Sequence, residues 1–201
     1  MLFSKRHSQQ TIERVESAFP SSLSDDIRAV LEIVPKTEDP STSHDTIDVT
    51  VQGERVHIPY RVYFPEPAAE AVAELTGQQR LVLAAIFTRH SDGFVRERWL
   101  RAIGPSVQVW VPPFVVQLLG EYVSEIASAV EDVIPAGLGS YHAFVNANHD
   151  YCRVVSARMI NYWALYYRRQ MPSFDDYPAY RAGRQLGVWR ERPPRNRRGR
   201  R

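Results

Sequence analysis

The sequence predicts a mainly α-helical domain with one β-hairpin near residues 46–64 and a disordered basic C-terminal tail. Apolar residues recur at helical spacing over most of the chain, and they alternate strictly with polar residues only between 46 and 64. Arginine residues are concentrated after residue 180. These observations divide the chain into a single helical domain at 1–180, with the hairpin as an insertion, and an Arg-rich flexible tail at 181–201.

The first elements are two short amphipathic helices, at 8–19 and 22–34, which Pro20 separates. A polar loop follows at 35–45, because this stretch carries two prolines and few apolar residues. The hairpin comes next. Its turn is expected at Gln52-Gly53, between two runs rich in valine and isoleucine.

Helical spacing returns at 66–75 and continues at 76–90, where Thr76 is expected to cap the helix. Residues 91–93 form a turn, and the next helix at 94–103 ends at Gly104-Pro105. We expect three helices to form the centre of the domain, at 77–170, and these two helices begin it.

The segment 111–135 predicts the longest helix, with paired prolines in its first turn. Gly120 would lie in the middle of this helix at a cost of about 1 kcal/mol, which indicates the close approach of a crossing helix or, less simply, of a ligand. Residues 136–140 predict a flexible connection and 149–170 a further helix. Regular patterning ends at Pro172, and the chain beyond Gly183 is expected to be disordered.

The composition argues for a cytoplasmic protein without a membrane span. No apolar run approaches the roughly 20 residues that a spanning helix needs, and the N-terminus lacks the apolar core of a signal peptide. Cys152 is the single cysteine, and its apolar surroundings favour packing in the core over a nucleophilic role with His149. Since catalytic, metal and phosphate-binding motifs are also missing, the sequence predicts no cofactor and favours a non-enzymatic protein.

Polar residues are concentrated between two apolar runs at 87–103. Arg89, His90, Asp92 and Arg96 are candidates for a pocket that binds an anion or a carboxylate. The alternative, which we favour, is structural: Asp92 caps one helix, and the basic residues interact with the C-terminal end of the preceding helix.

Two carboxylates, Glu121 and Glu125, lie one turn apart in the predicted long helix. They could hold a cation or act as acid and base, but exposed helix carboxylates more often pair with arginine. The sequence therefore predicts at least one ion pair between these glutamates and the basic stretch at 89–101.

The aromatic segment 160–183 allows two interpretations. Aromatic residues between arginines can stack on bases or bind a protein partner. We favour core positions for Tyr162, Trp163 and Tyr166, and a tethering role for Tyr177 and Tyr180. Trp99 and Trp163 are expected to be largely buried.

The turn at 91–93 leads into Asp92, Val95 and Arg96, followed by Leu100 and Ile103. This pattern resembles a HEAT-type helical repeat, although Trp99 stands where such repeats have a small residue. The wider order of the segments 58–67, 88–100, 118–126 and 160–169 resembles a family of bacterial helical proteins whose activity is uncharacterised. The resemblance implies a common helical fold and no particular chemistry.

The tail separates the charge of the chain into two parts. Residues 181–201 carry nine arginines and one glutamate, whereas residues 1–180 carry 16 basic and 22 acidic side chains. Seven arginines are candidates for polyanion binding: Arg190, Arg192, Arg195, Arg197, Arg198, Arg200 and Arg201. The sequence thus predicts a helical scaffold that docks a protein partner. The alternatives are a nucleic-acid-associated protein that uses the tail, and a hydrolase or transferase that uses Glu121 and His90.

Overall fold

The computed structural model describes residues 10–35 and 42–189, and it has the predicted mainly helical fold with one β-hairpin. Its helices are α1 (10–16), α2 (Ser24–Ile33), α3 (Ala69–Ala73), α4 (Gly77–Phe87), α5 (Gly93–Ile103), α6 (Pro112–Val116), α7 (Ser124–Asp132), α8 (Gly139–Ala147), α9 (His149–Tyr162) and α10 (Pro178–Gln185). The middle of the predicted loop at 35–45 and the chain from residue 190 onward lie outside the described residues.

The hairpin consists of β1 (Thr46–Val51) and β2 (Glu54–Pro59), which pair in antiparallel register from Thr46 with Pro59 to Val51 with Glu54. Its two-residue turn is the predicted Gln52-Gly53. Both residues have positive φ, at 51° and 85°, as the tight hairpin turns with favourable twist require. Asn148 attaches the hairpin to the helices, since its side chain accepts a hydrogen bond from the Thr50 amide and donates one to the Thr50 carbonyl.

The helical hairpin of α4 and α5 confirms the local sequence signals. Thr76 and Gln79 form a reciprocal capping box at the start of α4. Asp92 caps α5 by accepting a hydrogen bond from the Phe94 amide, and Gly104 ends the helix with a φ of 60°. Inside this hairpin, Phe87 packs on the half-buried ring of Trp99.

The predicted helix at 111–135 is wrong, because the chain breaks near its middle. Helix α6 continues as a 3-10 turn at Gln117–Gly120, Glu121 is extended, and α7 begins only at Ser124. Gly120 therefore lies at the end of the 3-10 turn. Arg158 of α9 packs against Gly120, but a β-carbon there would lie 3.5 Å from the Cβ of Arg158, which is an ordinary contact that does not require glycine.

The region after α7 contains one helix that the sequence did not predict and one that ends earlier than predicted. Helix α8 begins at Gly139, inside the predicted flexible connection at 136–140, and continues to Ala147. Helix α9 stops at Tyr162 and passes into a π-helical turn at Trp163–Tyr167, in which the Arg168 amide bonds to the Trp163 carbonyl.

The C-terminal boundary of the folded domain is also later than the sequence predicts. Helix α10 occupies residues that were assigned partly to the tail, and its residues Ala182 and Gly183 are buried together with the following Leu186 and Val188. Gly183 packs so closely against α9 that a β-carbon there would lie 2.9 Å from the Cε of Met159. Residues 181–189 thus belong to the folded domain.

Most buried side chains form one apolar cluster to which the hairpin and the helices contribute. The predicted burial of Cys152 is confirmed. No helix within residues 10–35 and 42–189 combines the length and the apolar character that crossing a membrane demands.

Candidate functional site

Three arginines converge on one buried carboxylate, and we call these four residues the arginine cluster. Glu121 is 2% exposed, and its oxygens lie 2.9 Å from Nη2 of Arg61, 3.3 Å from Nη2 of Arg89 and 3.4 Å from Nη2 of Arg96. These contacts confirm the predicted ion pair between Glu121 and the basic stretch.

Each member of the arginine cluster comes from a different part of the chain. Arg61 follows β2, Arg89 follows α4, Arg96 lies in α5, and Glu121 occupies the break between α6 and α7. Arg96 also donates to the carbonyls of His90 and Ser91, each at 2.8 Å. The cluster therefore fastens the turn between α4 and α5 to the end of the hairpin and to the helix break.

The imidazole of His90 reinforces the same turn. Its Nδ1 accepts a hydrogen bond from the Asp92 amide at 3.0 Å, so the ring proton lies on Nε2, which donates to the Phe64 carbonyl at 3.0 Å. Beside it, the backbone of Val62 bonds to Arg89 and Ser91. Both ring nitrogens of His90 are thus engaged in holding the chain segments together.

The arginine cluster carries more positive than negative charge. Burial lowers the pKa of Arg89 to about 10, although the charge of Glu121 partly offsets this effect. Burial lowers the pKa of Arg96 as well, again against the attraction of Glu121. Among the described residues, Nε and Nη1 of Arg89 have no hydrogen-bond partner. A single carboxylate therefore does not compensate all three guanidinium groups.

The remaining predicted site residues do not join the arginine cluster. Glu125 is exposed in the first turn of α7, where it accepts a hydrogen bond from the Ser124 hydroxyl. Asp92 serves as the cap of α5, as the structural interpretation predicts. An acid–base role for Glu121 would need contact with a substrate, but the arginines occupy both of its oxygens and the side chain is buried.

A second unusual region lies on the surface, where α9 presents apolar side chains to solvent. Val154 is 51% exposed, Ile160 is 38% exposed and Leu165 is 73% exposed. Ala157 and Ala164 are exposed between them. We call these five residues the outer face of α9, although Ala164 and Leu165 belong to the π-helical turn that continues the helix. The opposite face of the helix, with Cys152, Val155 and Met159, is buried.

A groove of about 1340 Å³ runs beside the outer face of α9. One wall comes from α9 and includes His149, Arg153 and Ile160. The other wall comes from the end of α10 and the residues after it, among them Tyr180 and Trp189. The outer face and the groove adjoin along α9, because Val154 and Ile160 belong to both.

The aromatic end of α9 differs from the prediction. Tyr166 is 58% exposed, so its predicted core position is wrong, and Tyr162 and Trp163 are only half-buried. Tyr177 and Tyr180 are buried, where Tyr177 stacks on Tyr167. The π-helical turn carries Leu165 and Tyr166 outward while Tyr167 turns inward to donate its hydroxyl proton to the Tyr122 carbonyl.

Sequence reasoning missed two features of these sites. Arg61 was not a candidate, because the strand-like pattern around it gives no hint of a partner 60 residues away. The outer face of α9 was also missed, although a signal existed: residues 152–165 are apolar on more than one side of a helix, and one side must then face solvent or a partner.

The chain matches no protein-family model, no curated protein and no solved structure. In the described residues, no group of three or more His, Cys, Asp or Glu side chains is arranged to hold a metal ion. The seven candidate arginines of the tail lie outside those residues.

Proposed function

We propose that the protein is a non-enzymatic helical scaffold that docks a protein partner on the outer face of α9 and the adjoining groove. The observation that carries the proposal is the exposure of Val154, Ile160 and Leu165 along α9 and the π-helical turn that follows it. Scattered apolar side chains on a surface need no explanation, but a contiguous apolar patch beside a groove is typical of a binding site.

The surroundings of this surface fit a protein partner. Asp150 and Arg153 lie at the start of α9 and form an exposed ion pair at 3.2 Å. Arg168 and Arg169 are exposed beyond its end. An apolar centre with exposed aromatic residues and a charged rim is the usual organisation of a protein–protein interface.

Site-specific photo-crosslinking tests this docking surface. A photoreactive phenylalanine analogue replaces Leu165 on the outer face of α9 or, as a control, the similarly exposed Val107 between α5 and α6. We expect protein adducts from position 165 in extracts of the source cells and few from position 107. The adducts should disappear when Val154→Asp is added, because a buried carboxylate opposes docking.

The contrast between the two positions decides the outcome. Equal labelling from 165 and 107 would show that the outer face of α9 has no particular affinity for proteins. Adducts that persist with Val154→Asp would place the contact elsewhere on the surface.

A further inference from the structure

We propose that the partner on the outer face of α9 is a second copy of this chain, which pairs in antiparallel orientation through a two-fold axis near the middle of the helix. This inference rests on the proposed docking function and names its partner. A two-fold interface uses the same patch on both subunits, so the patch must be complementary to itself. The outer face of α9 meets this condition in shape, in apolar character and in charge.

The shape is complementary because alanines alternate with larger side chains along an exposed stripe that contains Asn161 as well as residues of the outer face of α9. With the axis between Ala157 and Asn161, Ala157 of one copy faces Asn161 of the other, and Val154 faces Ala164. Side chains three and four residues apart share one side of a helix, so all four belong to the exposed stripe. Alanine at these points lets the two helices approach closely.

The groove supplies a place for the most exposed apolar side chain. In this register, Leu165 of one copy lies at the level of Arg153 of the other, where the groove is lined by His149, Ser156 and Val188. The π-helical turn carries Leu165 outward, where it is 73% exposed. Each copy would thus insert a leucine into the groove of its partner.

The charges at the two ends of the helix are also complementary. The antiparallel register brings Asp150, which is exposed at the start of α9, to the level of Arg168 in the other copy. Because the axis repeats this contact, each interface would contain the pair twice. A parallel arrangement would instead place Asp150 beside Asp150 and Arg168 beside Arg168, and like charges in contact disfavour association.

Sedimentation equilibrium of the full chain measures the association directly. We expect a particle of about twice the 23.1 kDa of one chain at concentrations between about 1 and 100 μM, the range of weak to moderate specific association. Leu165→Asp should weaken the dimer about tenfold or more, because the carboxylate would replace an apolar side chain in the groove. Val107→Asp, outside the interface, should leave the dimer unchanged. A chain that stays monomeric at every concentration overturns the proposal.

A charge exchange tests the antiparallel register. Asp150→Arg and Arg168→Asp should each weaken the dimer about threefold, since each places like charges together at two points of the interface. The double variant restores opposite charges and should recover most of the affinity. Additive weakening in the double variant would overturn the register.

The docking function and the dimer can fail separately. If position 165 crosslinks to other proteins and the purified chain remains monomeric, the docking surface stands and the second copy is overturned as its partner. If position 165 gives no specific adduct and the chain is monomeric, both proposals fail. A dimer that Leu165→Asp does not weaken would show that the contact lies on another surface.

Discussion

The arginine cluster places charged side chains in the interior, and the outer face of α9 places apolar side chains on the surface. Both regions therefore depart from the usual distribution of residue types in a folded protein, and they do so in opposite ways. The first buries three charged side chains, those of Arg89, Arg96 and Glu121, and half-buries a fourth, that of Arg61. The second exposes five apolar side chains, of which Leu165 is 73% exposed. Both arrangements are unfavourable for isolated side chains, because charges lose hydration in the interior and apolar groups gain by leaving water.

The two regions differ in whether contacts within the chain offset the unfavourable free energy of these placements. In the arginine cluster, contacts within the chain offset most of the cost of burial, because Glu121 accepts hydrogen bonds from three guanidinium groups and Arg96 also donates to two carbonyls. For the outer face of α9, the described residues provide no cover. A buried polar group that is paired within the fold stabilises the fold, whereas an exposed apolar stripe would gain free energy if a partner covered it.

The largest effect is expected from Glu121→Gln, which removes the one carboxylate of the arginine cluster and leaves three guanidinium groups without a counter-charge. The free energy of unfolding should fall by about 3–5 kcal/mol, as is typical when one member of a buried ion pair is lost. Urea denaturation followed by circular dichroism measures the change. Glu125→Gln is the matched control in the same region, and its effect should stay within about 0.5 kcal/mol because Glu125 is exposed.

A smaller effect is expected from Arg89→Met, although Arg89 is the most deeply buried member of the arginine cluster. Glu121 keeps Arg61 and Arg96, while a guanidinium with two unpartnered nitrogens is replaced by an apolar chain. The free energy of unfolding should therefore change by less than about 2 kcal/mol in either direction. If Arg89→Met destabilised the protein as much as Glu121→Gln, the arginine cluster of the original chain would have no excess of positive charge, and the argument for a small effect would be wrong.

Tyr141 extends the comparison to a neutral group. Its ring is fully buried, and burial raises the pKa of its hydroxyl above the ordinary value near 10. The folded state therefore retains a proton that the unfolded state loses above pH 10. The stability that this proton provides is fully present below pH 10 and falls by up to about 1.4 kcal/mol per pH unit above it.

Tyr141→Phe separates this contribution. Because no described residue pairs with the Tyr141 hydroxyl, the variant should be as stable as the original chain at pH 7, or up to about 1 kcal/mol more stable. Above pH 10 its stability should fall less steeply. Denaturation curves recorded between pH 7 and pH 11 measure both effects, and equal slopes for the two chains would contradict the assignment.

The smallest effect on stability is expected from Val154→Asp on the outer face of α9. The free energy of unfolding of the isolated chain should change by less than about 0.5 kcal/mol when measured where it is monomeric, because Val154 is half exposed. Val155→Asp, one position further and buried on the opposite face, is the contrasting variant and should cost several kcal/mol. Similar losses in both would show that the outer face is part of the core.

The elements that the sequence predicts correctly carry their signals locally. The capping box of Thr76 and Gln79, the cap at Asp92 and the stop at Gly104 all act within a few residues of the helix end that they define. The turn at Gln52-Gly53 is equally local. Such signals can be read from one short stretch of chain, and here they place the hairpin and the helices α4 and α5.

The elements that were missed depend on distant contacts. Helical spacing continues through 111–135, and what accompanies the break at Glu121 is a set of arginines from three other segments. The sequence did not predict helix α10, because the number of arginines in this region suggested a disordered tail. Yet Arg181 pairs with Glu131, and the buried Ala179, Ala182 and Leu186 already follow helical spacing in the sequence. Arg61 is the one member of the arginine cluster for which the surrounding sequence gave no indication of a role in a site.

The π-helical turn at Trp163–Tyr167 has a consequence for the history of the chain. A π-helical turn accommodates one more residue than an α-helical turn, and it is the usual trace of a single-residue insertion into a helix. Deleting Ala164 should let α9 continue as an ordinary α-helix while the residues after it keep their orientation, because the π-helical turn had absorbed the extra residue. Tyr167 would then keep its contacts at Tyr122 and Ser124, whereas Leu165 would lose the wider turn that now carries it outward. An alignment of related chains should therefore show whether a one-residue gap at this point coincides with the loss of an apolar residue at position 165.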